Sequence, residues 1–280
     1  MVTVRAMKVT AHGTGREHVD PDKYVVIDHG NLEGQDFSGR VLHKFSAIGS
    51  RFVRCRFENM VISDASLGSG IEVSEYTDCS FVGSVLPIRG YARFVGCNFG
   101  ETRLYDLTAD YLEFVDCTFT GRLEKIVFWG SPPPAGRASY GSLARRWERA
   151  GRGVPPESYR QLVYREVNEF RGNNFSAATF DDVSFRGGID LSLQRLPIGR
   201  RFLYIMDAER CLSSVLNHGR DAASASLDDR AFDYAKAILE RNLKTGQKQL
   251  FLEDRAHDST TAKPMIKRAY QILRSCAPSD

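Results

Sequence analysis

Four stretches decide the fold: Arg51-Phe-Val-Arg-Cys-Arg-Phe57, Glu75-Tyr-Thr-Asp-Cys-Ser-Phe81, Arg93-Phe-Val-Gly-Cys-Asn-Phe99 and Glu113-Phe-Val-Asp-Cys-Thr-Phe119. Each reads charged, aromatic, two variable positions, Cys, one variable position, Phe. The cysteines fall 24, 18 and 20 residues apart. A fifth copy, Glu169-Phe-Arg-Gly-Asn-Asn-Phe175, keeps the frame with Asn173 in the place of Cys.

A shorter period runs inside the long one. Leu32, Phe37, Leu42, Ala47, Phe52, Phe57, Ile62 and Leu67 are five apart; so are Phe94, Phe99, Leu104, Ala109, Phe114 and Phe119, and again Phe170, Phe175, Phe180 and Phe185. Two residues before many of these centres sits a slim side chain, as at Ser50, Cys55, Cys79, Ser84, Cys97, Thr102 and Cys117. A helix repeats every 3.6 residues and a strand every two, so neither explains a period of five. A chain that turns a corner every five residues does, because four steps then close a turn of about 20 residues. Large centre and small partner both point inward, and successive turns pair their backbones at about 4.8 Å. The expected core is Phe52, Cys55, Phe57, Cys79, Phe81, Phe94, Cys97, Phe99, Phe114, Cys117, Phe119, Phe170, Phe175, Phe180 and Phe185, with one phenylalanine ladder through Phe57, Phe81, Phe99, Phe119 and Phe175.

In these residues the chain resembles the pentapeptide-repeat family, whose step is A/C/S/T, then D/N/x, then L/F, then two mostly polar residues. The resemblance covers about 32–129 and 169–191, somewhat under half the chain. It implies a right-handed quadrilateral β-helix, here of about five turns. The phase slips between Leu67 and Tyr76 and between Leu86 and Phe94, where bulged corners or short loops are expected.

Residues 1–31 are expected to form an N-terminal cap, with Tyr24-Val-Val-Ile-Asp28 as a strand covering the open end, since bare strand edges invite aggregation. The solenoid occupies 32–191. After Phe128-Trp129-Gly130 it is interrupted at about 131–168 by a helical hairpin: Ser131-Pro-Pro-Pro-Ala-Gly136 exits, Ser142–Ala150 is one helix, and a second opens at Pro155 with Tyr159, Leu162, Val163, Val167 and Phe170 on one face. Residues 192–280 read as an α-helical region: a short helix at Asp207–Leu216, another N-capped by Ser226, and a last one from Pro264 with Ile266, Ala269, Tyr270 and Leu273 inward. The fold class is therefore an all-β solenoid with α additions.

The 42% hydrophobic and 26% charged fractions are those of a soluble globular protein, and no apolar run reaches the about 20 residues of a membrane span. The first residues lack an apolar signal-peptide core, so a cytoplasmic location is expected. Six cysteines without CxxC, and no His at finger-like spacing, point to reduced core thiols rather than zinc. Net charge is +3, whereas residues 31–130 hold 13 acids and 10 bases, a net −3. His12, His18, His29, His43, His218 and His257 are scattered, and Asp28-His29 has no nucleophile turn beside it. His12-Gly-Thr-Gly-Arg16 reads as a turn, not a phosphate loop. Neither cofactor nor catalytic residue is expected.

One cluster remains as a candidate partner-binding site: Arg145, Arg146, Arg149 and Arg152 beside Trp147. Its plain alternative is a solvated helix face. The leading expectation is a non-catalytic scaffold that binds a protein, with the helices available for homodimer contacts and no direct binding of nucleic acid. Some pentapeptide-repeat proteins imitate duplex DNA and bind type II topoisomerases, and the resemblance implies that partner in its sharpest form. Arg51, Arg54 and Arg56, and the weak net charge, weigh against it. The alternative is an enzyme or nucleotide-binding protein with its site in the insertion or the last third, which a pocket between solenoid and helices would favour.

Overall fold

The computed structural model describes residues 21–219, 227–254 and 263–276. The Ser226 cap, His12, His18, His257 and most of the expected N-terminal cap lie outside the described residues.

The chain winds as a parallel β-solenoid. One sheet stacks Tyr24–Asp28, Val41–Ile48, Val61–Ser69, Val85–Leu86, Arg103–Ala109, Arg122–Trp129 and Thr179–Arg186 as successive rungs. A second stacks Asn31–Glu33, Arg51–Val53, Ser74–Thr77, Ala92–Val95, Leu112–Val115 and Phe170–Arg171. In the second sheet the register Leu32–Phe52–Tyr76–Phe94–Phe114–Phe170 marks five turns.

The five-residue period is visible as inward ladders. Phe37, Phe57, Phe81, Phe99, Phe119 and Phe175 stack face to face with centroids 4.6–4.9 Å apart. Phe52, Tyr76, Phe94 and Phe114 form a second stack at 4.6–5.0 Å. All of the expected core residues are buried, and each fully buried Phe contributes roughly 1.5–3 kcal/mol.

The slim partner two residues before each centre has a polar task as well. The thiols of Cys55, Cys79, Cys97 and Cys117 donate to the carbonyls of Leu32, Phe52, Tyr76 and Phe94, one turn earlier, at 3.3–3.6 Å. Asn173 continues the series to Phe114 O at 2.8 Å, and Gln194 to Phe170 O at 3.1 Å. On another wall Ser84 and Thr102 do the same to Phe57 O and Phe81 O. The small residue therefore both makes room for the rings and ties its own turn to a carbonyl of the turn before.

Corners demand left-handed backbone. Arg54, Asp78, Gly96, Asp116 and Gly172, each just before a ladder residue, have φ of 49 to 68°. Glycine stands at 96 and 172 because the carboxylates of Asp78 and Asp116, one turn earlier, fill the space a Cβ would need. The phase slips fall where expected: the register shifts between Ser66 and Gly68, and a turn follows at Gly70 before Ser74 resumes the second sheet.

Tyr24–Asp28 pairs in parallel with Val41–Ile48 and covers that strand's edge at the start of the coil, and four features differ from the sequence expectation. At the other end Asn174 still bridges Arg195, so the ladder outruns Leu191. The first inserted helix, α1, already starts at Ala135 and runs Ala135–Arg149, while the second, α2, is only Glu157–Val163. Tyr159, Leu162 and Val163 are buried on α2, but Val167 lies outside it at 66% exposure and Phe170 belongs to the solenoid core. The last third holds helices Ala208–Gly219 (α3), Leu227–Leu243 (α4) and Pro264–Cys276 (α5), and also an antiparallel strand pair, Phe202–Ile205 with Leu250–Glu253.

That strand pair explains how the last third attaches. Phe251 meets Phe180 of the final rung at 5.5 Å and Phe202 at 5.2 Å. The buried Gln247 amide pairs with both N and O of Ile189, at 2.9 and 2.8 Å, and Gln249 accepts from Leu191 N. Backbone groups at the end of the coil are thus satisfied by side-chain amides, and the last rung is covered.

Candidate interaction surface

Outward positions stack as regularly as inward ones. Arg51, Glu75, Arg93 and Glu113 follow one another in register, a column of alternating sign. Ion pairs cross from turn to turn: Arg54 with Glu33, Arg56 with Asp36, Arg103 with Glu124, Arg122 with Asp181 and Arg171 with Asp116. Arg93 reaches Glu169 at 2.6 Å, which draws the Glu169 carboxyl below its ordinary range. Arg54, Arg56, Arg93, Arg103, Arg122 and Arg171 are thereby neutralised within the solenoid's own walls, while Arg40, Arg51, Arg89 and Arg186 have no carboxylate partner among the described residues.

The carboxylates that a DNA mimic would align do not share one face. Glu75 and Glu113 belong to the second sheet, Asp78 and Asp116 to the corner after it, and Asp106 to the long sheet. Asp110 is only partly exposed: its Oδ1 is buried, and burial pushes its pKa up.

His29 is engaged on both sides. Nδ1 lies 2.6 Å from Asp28 Oδ1 and Nε2 lies 2.9 Å from Glu72 Oε2, so hydrogen bonds, first that to Asp28, raise its pKa. The imidazolium form can donate from both nitrogens to these two carboxylates. The four ladder cysteines are buried, and burial raises the Cys55 and Cys97 thiols. Among the described residues no three His, Cys, Asp or Glu side chains gather as metal ligands.

The inserted hairpin sits on an aromatic seat. Tyr159, Leu162 and Val163 of α2 pack with Tyr111, Tyr91, Ile71 and Val73 of the solenoid, and Tyr140 and Leu143 of α1 join them. The Tyr91 and Tyr159 hydroxyls are 3.1 Å apart. The root is tied by Asn168: its N donates to Gly130 O at 2.6 Å, and its Nδ2 donates to the carbonyls of Asp110 and Trp129. Arg165 Nε donates to Asn168 Oδ1 at 2.8 Å, and Arg165 pairs with Glu113 at 3.4 Å. Neither Asn168 nor the tyrosine seat was singled out by sequence. Asn168 carries no local signal, because its partners lie 39 and 58 residues away.

The predicted basic cluster is brought together on this arm. Arg145, Arg146, Arg149 and Arg152 are all exposed, and Trp147 is half-buried. Among the described residues none of the four arginines has a carboxylate partner; Arg145 meets only Ser142 Oγ, at 3.2 Å. Elsewhere, a cleft of about 390 Å³ opens between the Thr179–Arg186 rung and helices α4 and α5, lined by Arg186, Tyr234, Arg241, Asn242, Phe251 and Tyr270. Among the described residues no helix is long and apolar enough to cross a membrane.

No protein-family model matches the chain, and neither does any curated protein.

Proposed function

We propose that this is a non-catalytic scaffold of the pentapeptide-repeat type, acting in the cytoplasm by holding a protein partner. The observation that carries the reading is the clamped arm. A rigid, ring-stacked column presents a two-helix insertion whose root is fixed by Asn168 and whose seat is a buried aromatic cluster. Such a platform holds an arm in one orientation, which lowers the ordering cost of binding. Pull-down from native lysate with mass spectrometry tests it. A partner recovered in stoichiometric amount supports the scaffold, and recovery of none at physiological salt counts against it.

Topoisomerase binding by DNA mimicry is the weaker form of this proposal. Carboxylates spread over several walls and paired with arginine do not reproduce a run of phosphates. No inhibition of gyrase supercoiling is expected at micromolar protein, and strong inhibition would restore that form.

A second reading, a small-ligand or nucleotide site, is favoured by the cleft between the last rung and α4–α5. Its volume lies within the range of ligand pockets, and it combines two guanidinium groups with two tyrosines. A thermal-shift panel of nucleotides tests it: stabilisation that Arg241→Ala abolishes would favour this reading over the scaffold.

A further inference from the structure

We infer that the outer face of α1 is a docking site for an acidic protein segment, with Arg145, Arg146, Arg149 and Arg152 as its contacts. The inference rests on the scaffold reading and names where the partner binds and with what chemistry.

The first argument is where the charge lies. Residues 131–168 hold seven arginines and three glutamates, a net +4, while the whole chain is +3 and the remainder is therefore −1. More than all of the protein's positive excess sits on one inserted arm. Within that arm Arg160 is paired with Glu157, and Arg165 with Glu113. The charge left over is concentrated on α1 and the residues just after it.

The second argument is orientation. At 100° per residue, Tyr140, Leu143 and Trp147 share one stripe of α1, and Arg145 and Arg149 lie on the opposite side. The stripe is anchored, since Tyr140 and Leu143 pack against the tyrosine seat. Arg145 and Arg149 then face solvent one turn apart, about 6 Å along the axis. Arg146 flanks them, and the chain stays tight to Arg152, whose N donates to Trp147 O at 2.9 Å. A surface arginine without a carboxylate is ordinary on its own. Here four lie together on one short arm, whereas Arg54, Arg56, Arg93, Arg103, Arg122 and Arg171 of the solenoid are paired across turns and the solenoid's unpaired arginines, Arg40, Arg51, Arg89 and Arg186, are scattered along it.

The third argument selects the partner. A nucleic-acid duplex carries negative charge along its whole length and needs a basic footprint that continues past one helix. Outside the arm the chain carries a net −1, so the basic footprint does not continue past α1 and Arg152. A short acidic peptide segment covers one helix face and stops there. Guanidinium groups also match carboxylates in paired geometry.

The test is fluorescence anisotropy of the full-length chain with two labelled probes, a poly-glutamate of about 20 residues and a random-sequence duplex of about 20 base pairs, at about 50 and 300 mM salt. Poly-glutamate should bind at low salt. R145E/R149E should weaken it by about tenfold or more, and R200E, an exposed arginine far from the arm in sequence, should leave it unchanged. R145A/R149A repeats the measurement without introducing new charge, and circular dichroism checks that each variant is folded. No poly-glutamate binding, or equal loss with R200E, overturns the site. Duplex binding about tenfold tighter than poly-glutamate, abolished by R145E/R149E, overturns the choice of partner. A lysate partner that survives R145E/R149E would leave the scaffold standing and remove this site from it.

Discussion

The rings of Phe99 and Phe119 lie 4.9 Å apart with 3° between their planes, although 20 residues separate them in sequence. Phe81 stacks on the other face of Phe99 at 4.8 Å, and Phe94 and Phe114 meet its edges. Both faces of this ring, and its edge toward the second stack, are therefore covered by other rings. Truncation leaves a void that neighbours fixed by their own rungs cannot close. Phe99→Ala should cost about 3–5 kcal/mol in urea unfolding. A loss below about 1 kcal/mol would mean that the ring contributes little to the core.

The thiol ladder gives the second prediction. Cys55, Cys79, Cys97 and Cys117 each donate to a carbonyl one turn earlier and are buried beside the phenylalanine stacks. The thiolate is the reactive form, and burial disfavours it at Cys55 and Cys97. Labelling by a thiol reagent should be slow for all four in the folded chain and rapid in denaturant. Rapid labelling without denaturant would place them outside the core.

Much of this fold was legible because a solenoid repeats its packing problem at every turn. A Phe at 57, 81, 99, 119 and 175 meets the same neighbours each time, so the pattern survives in one sequence. Ile27 stands five residues before Leu32 and fits the frame, yet Tyr24–Asp28 reads only as a covering strand because Val25 and Ile27 alternate as in any strand. At the end of α2 two periods compete. Phe170 continues the helical stripe numerically but also heads the five-residue frame, and the solenoid claims it. The pairing of Phe202–Ile205 with Leu250–Glu253 spans α3 and α4, and neither four-residue run is distinctive alone. The arginine cluster could be read as a cluster but not as an unpaired one. Pairing elsewhere runs across turns, as from Arg56 to Asp36 or Arg103 to Glu124, and becomes visible only once the turn is known.

Asn168 gives the third prediction. Its side chain holds two carbonyls of adjacent rungs, and its amide Oδ1 receives Arg165. Asn168→Ala leaves those carbonyls and the Arg165 Nε without a partner, a loss of about 1–3 kcal/mol for buried groups. Because the tie is at the root of the hairpin, the loosening should be local. Amide exchange in Glu157–Val163 should accelerate by about tenfold or more while the Arg103–Ala109 rung is unchanged. Uniform acceleration in both would show that Asn168 supports the whole coil instead of the arm.

The last prediction concerns pH. His29 belongs to the first turn and Glu72 to the corner between Val61–Ser69 and Ser74–Thr77, so their contact links turns 43 residues apart. Glu72 is flanked by Ile71 and Val73, which pack into the seat beneath the hairpin. The pKa of His29 is raised above its ordinary 6.5, by the hydrogen bond to Asp28 first and that to Glu72 second. A raised folded-state pKa means that the contribution is fully present below the unfolded value and disappears as pH climbs through the folded one. All three side chains are exposed, so the effect on global stability should be small and weakened by salt. The local effect is the one to measure. By proton NMR, His29 should titrate above 6.5, and Glu72→Gln should lower its midpoint. In the same titration the amides of Ile71 and Val73 should shift with the His29 midpoint. Their indifference to it would break the link from His29 to the hairpin seat.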